Sequence, residues 1–305
     1  MKIACYLPDK VLTNNQLAEI YPEWTPEKIL TKTGIASRHV TSDGESSLDL
    51  AEKAAKRLLD SYNINAQEID FLLLCTQSAE YKLPSSACLL QNRLGTPTTA
   101  GALAFDHGCS GFIYGLSLAK GLILGGMAKK VLLVTSETYT KYIAPEDKST
   151  RTIFGDGAAA TLIDEGTAEK IGAFSFGTDG SGAEKLIVRD DRLFMDGPEI
   201  FNFTLDIVPK TMDDVLAKNG LTRDNIDLYV FHQANKFMLD TIRKVNGLPR
   251  DKFYVNLETT GNTVSSTIPI ALKQLEDVGR LKSGMKIMLM GFGVGLSWGA
   301  TVITV

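Results

Sequence analysis

The chain repeats itself. Ile69-Asp70-Phe71-Leu72-Leu73-Leu74-Cys75 returns 157 residues later, from 69 to 226, as Ile226-Asp227-Leu228-Tyr229-Val230-Phe231-His232. Lys130-Val131-Leu132-Leu133-Val134 returns after 156 residues, from 130 to 286, as Lys286-Ile287-Met288-Leu289-Met290. Two pairs at nearly one spacing point to a duplicated unit. Each apolar run follows a polar helix end (Asn65-Ala66-Gln67-Glu68; Thr222-Arg223-Asp224-Asn225). Each leads to a helix that ends at glycine (Leu94-Gly95; Asn246-Gly247). Continuous Val/Ile/Leu runs suit central strands buried on both faces. Helices are predicted between them at Leu48 to Tyr62, Ser85 to Leu94, Cys109 to Met127, Ala234 to Asn246 and Thr263 to Val278. Such alternation builds α/β layers, with sheets covered by helices. The halves divide as 1–165 and 166–305. Nothing at the joint reads as a flexible linker, so they are expected to pack as one unit.

The first half carries the residue with most chemical potential. Cys109, in Phe105-Asp106-His107-Gly108-Cys109-Ser110-Gly111-Phe112, stands where a short strand predicted to be buried (Ala100 to Phe105) turns into an apolar helix. Free backbone N–H groups and the positive end of the helix dipole favour a thiolate there, which predicts a nucleophile present near neutral pH. Flanking glycines leave room for a substrate. A buried structural cysteine has the same local pattern. His107 lies two residues away and is not assured of facing the sulfur. His39, beside Arg38 in a polar segment, reads as a surface residue.

Bulk properties narrow the classes. The 305 residues are 44% hydrophobic and 22% charged, ample for a large core. A net charge of −4 without blocks of like charge offers nothing to nucleic acid or an anionic membrane. No apolar run reaches the length of a membrane span, and the N-terminus lacks a signal-peptide pattern. Cys5, Cys75, Cys88 and Cys109 show no paired spacing and read as free thiols of a reducing cytoplasm. Three histidines, His39, His107 and His232, form no metal cluster by local spacing.

If the halves are related by a pseudo-dyad, equivalent strand ends converge, and three second-half segments join Cys109. Phe231-His232-Gln233-Ala234-Asn235 puts a histidine at a strand's carboxyl end. Thr260-Gly261-Asn262-Thr263 puts an asparagine at the next strand-to-helix turn. Gly291-Phe292-Gly293-Val294-Gly295 is a glycine-rich turn that leads into a strand, unlike a dinucleotide fingerprint. Singly, the histidine fits local hydrogen bonding and Asn262-Thr263 fits a helix cap.

Taken in order, Gly108-Cys109-Ser110-Gly111-Phe112, Phe154-Gly155-Asp156-Gly157-Ala158, Leu193-Phe194-Met195-Asp196-Gly197, His232-Gln233-Ala234-Asn235, Gly261-Asn262-Thr263 and Gly291-Phe292-Gly293 resemble the β-ketoacyl-acyl-carrier-protein synthase III family of condensing enzymes. The resemblance spans essentially the whole chain. It implies a thiolase-like five-layered αβαβα fold, a homodimer, no cofactor and a role in fatty acid biosynthesis. It carries over a catalytic trio of Cys109, His232 and Asn262. The implied reaction is decarboxylative Claisen condensation: an acyl primer on Cys109 reacts with a malonyl thioester, borne on acyl carrier protein. The backbone N–H groups of Cys109 and Val294 would form the oxyanion hole, and Phe292 a wall near the departing carboxylate. Asn262 separates the chain from hydroxymethylglutaryl-CoA synthase and biosynthetic thiolase. An acyltransferase on the same fold, passing the Cys109-bound acyl group to a hydroxyl or amine, is the alternative.

Some positions depart from the family. Where primer-CoA enzymes carry Trp and Arg before the Thr-Gly-Ile motif, this chain has Lys28 and Lys32, which can hold phosphate but not stack on adenine. Trp24 would substitute only after a loop rearrangement. Where an Arg often follows the His-Gln-Ala-Asn segment, Phe237 stands. Lys236, Arg243, Lys244 and Arg250 offer cations for carrier docking, or a solvated helix face. Leu83 matches the family position that enters the partner's acyl pocket, where Phe is common; leucine leaves room for a primer longer than acetyl. Whether the primer arrives on CoA or on carrier protein stays open at this level, as does a specialised pathway.

Overall fold

Alternation along the repeated runs decides the layering. In strand Phe71–Cys75, Leu72 and Leu74 pack outward with helices Ser47–Ser61 and Ser86–Leu94, while Leu73 packs inward. Strand Leu228–Phe231 behaves alike: Leu228 and Val230 face inward, Tyr229 and Phe231 outward. Strands Lys130–Glu137 and Lys286–Gly293 follow, with Val131, Leu133, Ile287 and Leu289 inward and Leu132, Val134, Met288 and Met290 outward. Successive side chains point to opposite faces of a strand, so a run apolar at every position demands cover on both sides.

That cover is three layers of helix. Helices Gly111–Leu124 and Thr267–Asp277 lie between the sheets, through Phe112, Ile113, Leu116, Ile268, Ala271 and Leu272. Apolar residues on nearly every side of Gly111–Leu124 suit a largely covered helix, with Leu118 and Leu124 left exposed. Helices Gly197–Lys218 and Lys236–Val245 cover the second sheet. The computed structural model describes residues 1–305, and it is a five-layered αβαβα molecule.

The sheets match strand by strand. The first runs Lys2–Tyr6, Gly157–Asp164, Lys130–Glu137, Phe71–Cys75, Gly101–Phe105; the second runs Ile171–Thr178, Ser297–Thr304, Lys286–Gly293, Leu228–Phe231. In both, the pairings read antiparallel, antiparallel, parallel. The first sheet's fifth strand has only an isolated parallel bridge, Tyr229 to Phe253, as counterpart. Registers agree too: Phe71 pairs with Val131, and Leu228 with Ile287, the positions the repeat equates. Asp70 Oδ2 accepts the Lys130 N–H at 2.9 Å, and Asp227 Oδ2 accepts the Lys286 N–H at 2.7 Å.

Three expectations change in detail. Strand Gly101–Phe105 is not buried; it is the free edge of the first sheet, with Leu103 45% exposed. The helix predicted from Cys109 begins at Gly111. The one predicted from Thr263 opens with a tight turn, Val264–Ser266, before helix Thr267–Asp277. At both helix entrances the residues with chemical potential sit just outside the regular helix, where N–H groups lack intrahelical partners. No helix is long and apolar enough to cross a membrane.

Candidate active site

Four connections meet at the carboxyl ends of the strands, where open α/β sheets characteristically place their ligands. Cys109 precedes helix Gly111–Leu124; His232 follows strand Leu228–Phe231; Asn262 precedes Val264–Ser266; Phe292 and Gly293 end strand Lys286–Gly293. All five line one cavity of about 460 Å3, walled otherwise mainly by apolar side chains that include Phe154, Leu186, Met195, Ile200 and Phe201. Cys109, His232, Asn262 and Phe292 are all buried.

The backbone N–H groups of Cys109 and Val294 both favour the Cys109 thiolate by hydrogen bonding. Burial outweighs them. Together with the Glu137 carboxylate, it pushes the thiol up to about 12. The expectation of a resting thiolate near neutral pH is therefore corrected: two donors do not offset the loss of water around the sulfur. The glycine-rich turn presses against this residue. A Cβ on Gly293 would stand 2.9 Å from Cys109 Cβ, and one on Gly291 would stand 2.5 Å from its carbonyl oxygen. Close backbone approach accounts for these glycines, with no phosphate required.

His232 is held neutral, its pKa driven down to about 3 by burial. Its Nδ1 lies 2.7 Å from Thr267 Oγ1, and its ring meets Phe292 edge-on at 5.8 Å between centroids. Asn262 is pinned by its backbone: its N–H donates to the Ile153 carbonyl at 2.9 Å, and its carbonyl accepts the Gly155 N–H at 3.0 Å. Asn262 Oδ1 accepts the Val264 N–H at 2.9 Å, which assigns the amide orientation and leaves Nδ2 free of that contact. Val264 takes a positive φ of 55°, uncommon for a β-branched residue.

Other predicted residues fall elsewhere. Val294 lines a second pocket, of about 330 Å3, with Gln77, Tyr139, Leu186 and Leu193. Gln77, Tyr139 and the buried Glu137 escaped the sequence reading; a polar residue closing an apolar strand run was the available signal. His107 lines neither pocket and packs on Tyr114, with ring centroids 4.3 Å apart. His39 is half-buried rather than a surface residue, its Nδ1 2.6 Å from the Pro8 carbonyl, because its strand pairs with Val11–Thr13. Lys28 and Lys32 do not line the cavity; their Nζ atoms lie 5.2 and 5.8 Å from the centroid of the Trp24 ring, so the three already cluster without a loop rearrangement. Lys236 packs over Gly34 at the end of helix Pro26–Thr33, and Phe237 stacks on Phe201 at the cavity wall. Arg243 is tied to the Leu248 carbonyl at 3.2 Å, while Lys244 and Arg250 are exposed. Leu83, 81% exposed, reaches neither pocket of its own chain.

Comparison with known proteins gives one answer. The family model described as 3-oxoacyl-[acyl-carrier-protein (ACP)] synthase III matches residues 105–180, and the model of its C-terminal part matches residues 216–305. The β-ketoacyl-[acyl-carrier-protein] synthase III of Oceanobacillus iheyensis is 37% identical over 98% of this chain and 96% of its own length. A crystal structure of a 3-oxoacyl-(acyl-carrier-protein) synthase III superposes with a TM-score of 0.96, at 48% identity, covering 99% of this chain and 98% of that one. The β-ketoacyl-[acyl carrier protein] synthase III of Thermus thermophilus superposes with a TM-score of 0.92, at 35% identity, covering 99% and 98%.

Proposed function

The chain belongs to the 3-oxoacyl-[acyl-carrier-protein] synthase III family, and on that premise we propose that it condenses an acyl primer with malonyl-acyl-carrier-protein. The observation that carries the reading is the meeting of Cys109, His232 and Asn262 in one cavity. Residues 1–165 then supply the nucleophile and residues 166–305 the groups that act on the malonyl unit.

The Cys109 sulfur attacks the carbonyl of an acyl thioester. The tetrahedral oxyanion is received by the N–H groups of Cys109 and Val294, the carrier thiol departs, and the Cys109 proton ends on it. Burial raises the Cys109 thiol to about 12, so its proton must leave as the sulfur attacks. The malonyl thioester next loses carbon dioxide. Its C–C electron pair becomes an enolate, whose oxygen takes hydrogen bonds from His232 Nε2 and Asn262 Nδ2. Burial keeps the imidazole neutral, and the tautomer with its proton on Nε2 acts as that donor while Nδ1 faces Thr267 Oγ1. Phe292 desolvates the leaving carboxylate, which favours loss of its charge. The enolate carbon attacks the acyl-cysteine, releasing a β-ketoacyl thioester and free Cys109. A plain acyltransferase would have no use for two enolate donors, so the cavity favours condensation.

The 460 Å3 cavity takes the thioester arm, and the 330 Å3 pocket beyond the Gly293–Val294 turn takes the primer chain. Lys28 and Lys32 receive phosphates at the entrance, with Trp24 beside them as the aromatic surface, and Lys236, Arg243, Lys244 and Arg250 the acidic carrier. A homodimer formed over the free edge Gly101–Phe105 brings Leu83 to the partner's primer pocket. The enzyme works in the cytoplasm without a cofactor. Incubation with labelled acyl and malonyl thioesters, on CoA and on carrier protein, tests the whole: a β-ketoacyl product is expected. Acyl transfer without release of carbon dioxide would overturn it.

A further inference from the structure

Glu137 is a carboxylic acid at the very centre of the molecule, 0% exposed, with no cation beside it. Its partners are neutral donors from three places: the Gln77 N–H at 3.1 Å, the Ser78 hydroxyl at 2.8 Å, and the Ser265 hydroxyl at 3.1 Å. Gln77 and Ser78 follow the first-half strand Phe71–Cys75, whereas Ser265 belongs to the second half. A buried acid is costly and persists only where its hydrogen bonds are met, so the position has a use that an apolar residue would not serve.

That use lies one residue from Ser265. Val264 holds a positive φ of 55°. In that conformation its N–H reaches Asn262 Oδ1 at 2.9 Å and its carbonyl accepts the Thr267 hydroxyl at 3.1 Å, the hydroxyl that also faces His232 Nδ1. One residue thus serves both members of the second-half pair. A β-branched residue in this region is strained and stays there only if its surroundings over-determine it. Side-chain ties flank it: Ser265 to Glu137, Ser266 Oγ to Thr135 Oγ1 at 2.8 Å, and Thr267 to His232. Only the first ends on a carboxyl group that also grips the Gln77 turn, and Gln77 in turn lines the primer pocket.

We propose that Glu137 is a positioning residue that, through Ser265, holds the strained Val264 turn and so keeps the Asn262 amide aimed at the enolate. The inference rests on the role assigned to Asn262 above. Burial raises the Glu137 carboxyl to about 8. The tie survives either protonation state: ionised, the group accepts from Ser265; neutral, it can donate to Ser265 Oγ.

Ser265→Ala removes one hydroxyl and gives the decisive test. Malonyl decarboxylation should fall on the order of ten- to a hundredfold, the effect of a misplaced catalytic group. Acylation of Cys109, followed by intact mass, should stay within about twofold, because its oxyanion donors are backbone N–H groups on other segments. Glu137→Met, similar in size without hydrogen-bonding ends, should lower decarboxylation likewise, with acylation judged on Ser265→Ala because Glu137 also holds the Gln77 turn at the primer pocket. Glu137→Gln keeps a donor for Ser265 and an acceptor for Gln77, and should restore the ratio of the two rates. Should Glu137→Met not fold, Ser265→Ala decides alone. Equal losses in both steps, or no change in their ratio, overturn the inference. A wild-type enzyme that releases no carbon dioxide from a malonyl thioester overturns the proposed function, and the inference with it.

Discussion

The two halves share a sheet but not a chemistry. At the ends of equivalent strands stand Cys75 and His232. Cys75 is sealed in: burial drives its thiol well above the ordinary range, and its sulfur donates to the His107 carbonyl at 2.8 Å. His232 is as deeply buried but opens on the catalytic cavity. The following turns diverge as well. The first half enters its central helix directly at Gly111, where a Cβ would stand 2.3 Å from Cys75 Sγ, and it presents a nucleophile with backbone donors. The second half inserts the strained Val264 turn and presents side-chain donors. Duplication supplies two frames at fixed register. Function comes from letting one carry the covalent step and the other the stabilisation of charge.

The comparison breaks most decisively at Cys75 and Cys109. Cys109→Ala should abolish the acyl adduct seen by intact mass and lower condensation on the order of a thousandfold or more, as expected for loss of a nucleophile. Cys75→Ala should retain the adduct on Cys109. An adduct that survives Cys109→Ala, or maps to Cys75, would show that the nucleophile is not Cys109. In the second half, Asn262→Ala should leave acylation intact while malonyl decarboxylation drops on the order of 10²–10³-fold, the cost of one oxyanion donor. Rapid-quench measurement of both steps checks it.

Stability against pH sharpens the contrast, because the buried groups pull in opposite directions. Glu137 rises from 4.5 to about 8, so the unfolded chain loses this proton first and stability falls as pH climbs between those values. Asp156, also raised by burial, adds to that trend. His232 drops from 6.5 to about 3, so the unfolded chain gains the proton first and stability falls as pH descends through that range. Each group contributes a slope of up to about 1.4 kcal/mol per pH unit within its window. Urea titrations at several pH values should show the alkaline decline flattened in Glu137→Gln, with the acid limb unchanged.

The smallest effect concerns Leu83. Each further methylene buried in the primer pocket should improve selection by about 0.8 kcal/mol, close to fourfold, until the pocket fills. Leu83→Phe should shift the preferred primer to a shorter chain. Unchanged preference across a primer series would remove Leu83 from the partner's pocket.

Much of this is legible in the sequence. The strand runs, their offsets and the polar positions at their ends follow from side-chain period and chain connectivity, which are local. Cys109, His232 and Asn262 were readable because each sits in a short motif at a strand or helix end. Glu137 and Gln77 were not, since a polar residue closing a strand says nothing about which loops it will face. The state of Cys109 is not legible for a related reason: a helix entrance predicts donors, whereas the Gly293 backbone packed on the sulfur and the charge of Glu137 come from segments distant in the chain.

By itself, then, the sequence determined the duplication, the α/β layering and the residue types at the strand ends, because period, propensity and spacing act over neighbouring residues. Tertiary structure alone decided which of two equivalent frames opens on the cavity, how far burial shifts each ionisable group, and how Val264 is held. Those depend on desolvation and on contacts between segments more than a hundred residues apart, as in the bond from Ser265 to Glu137.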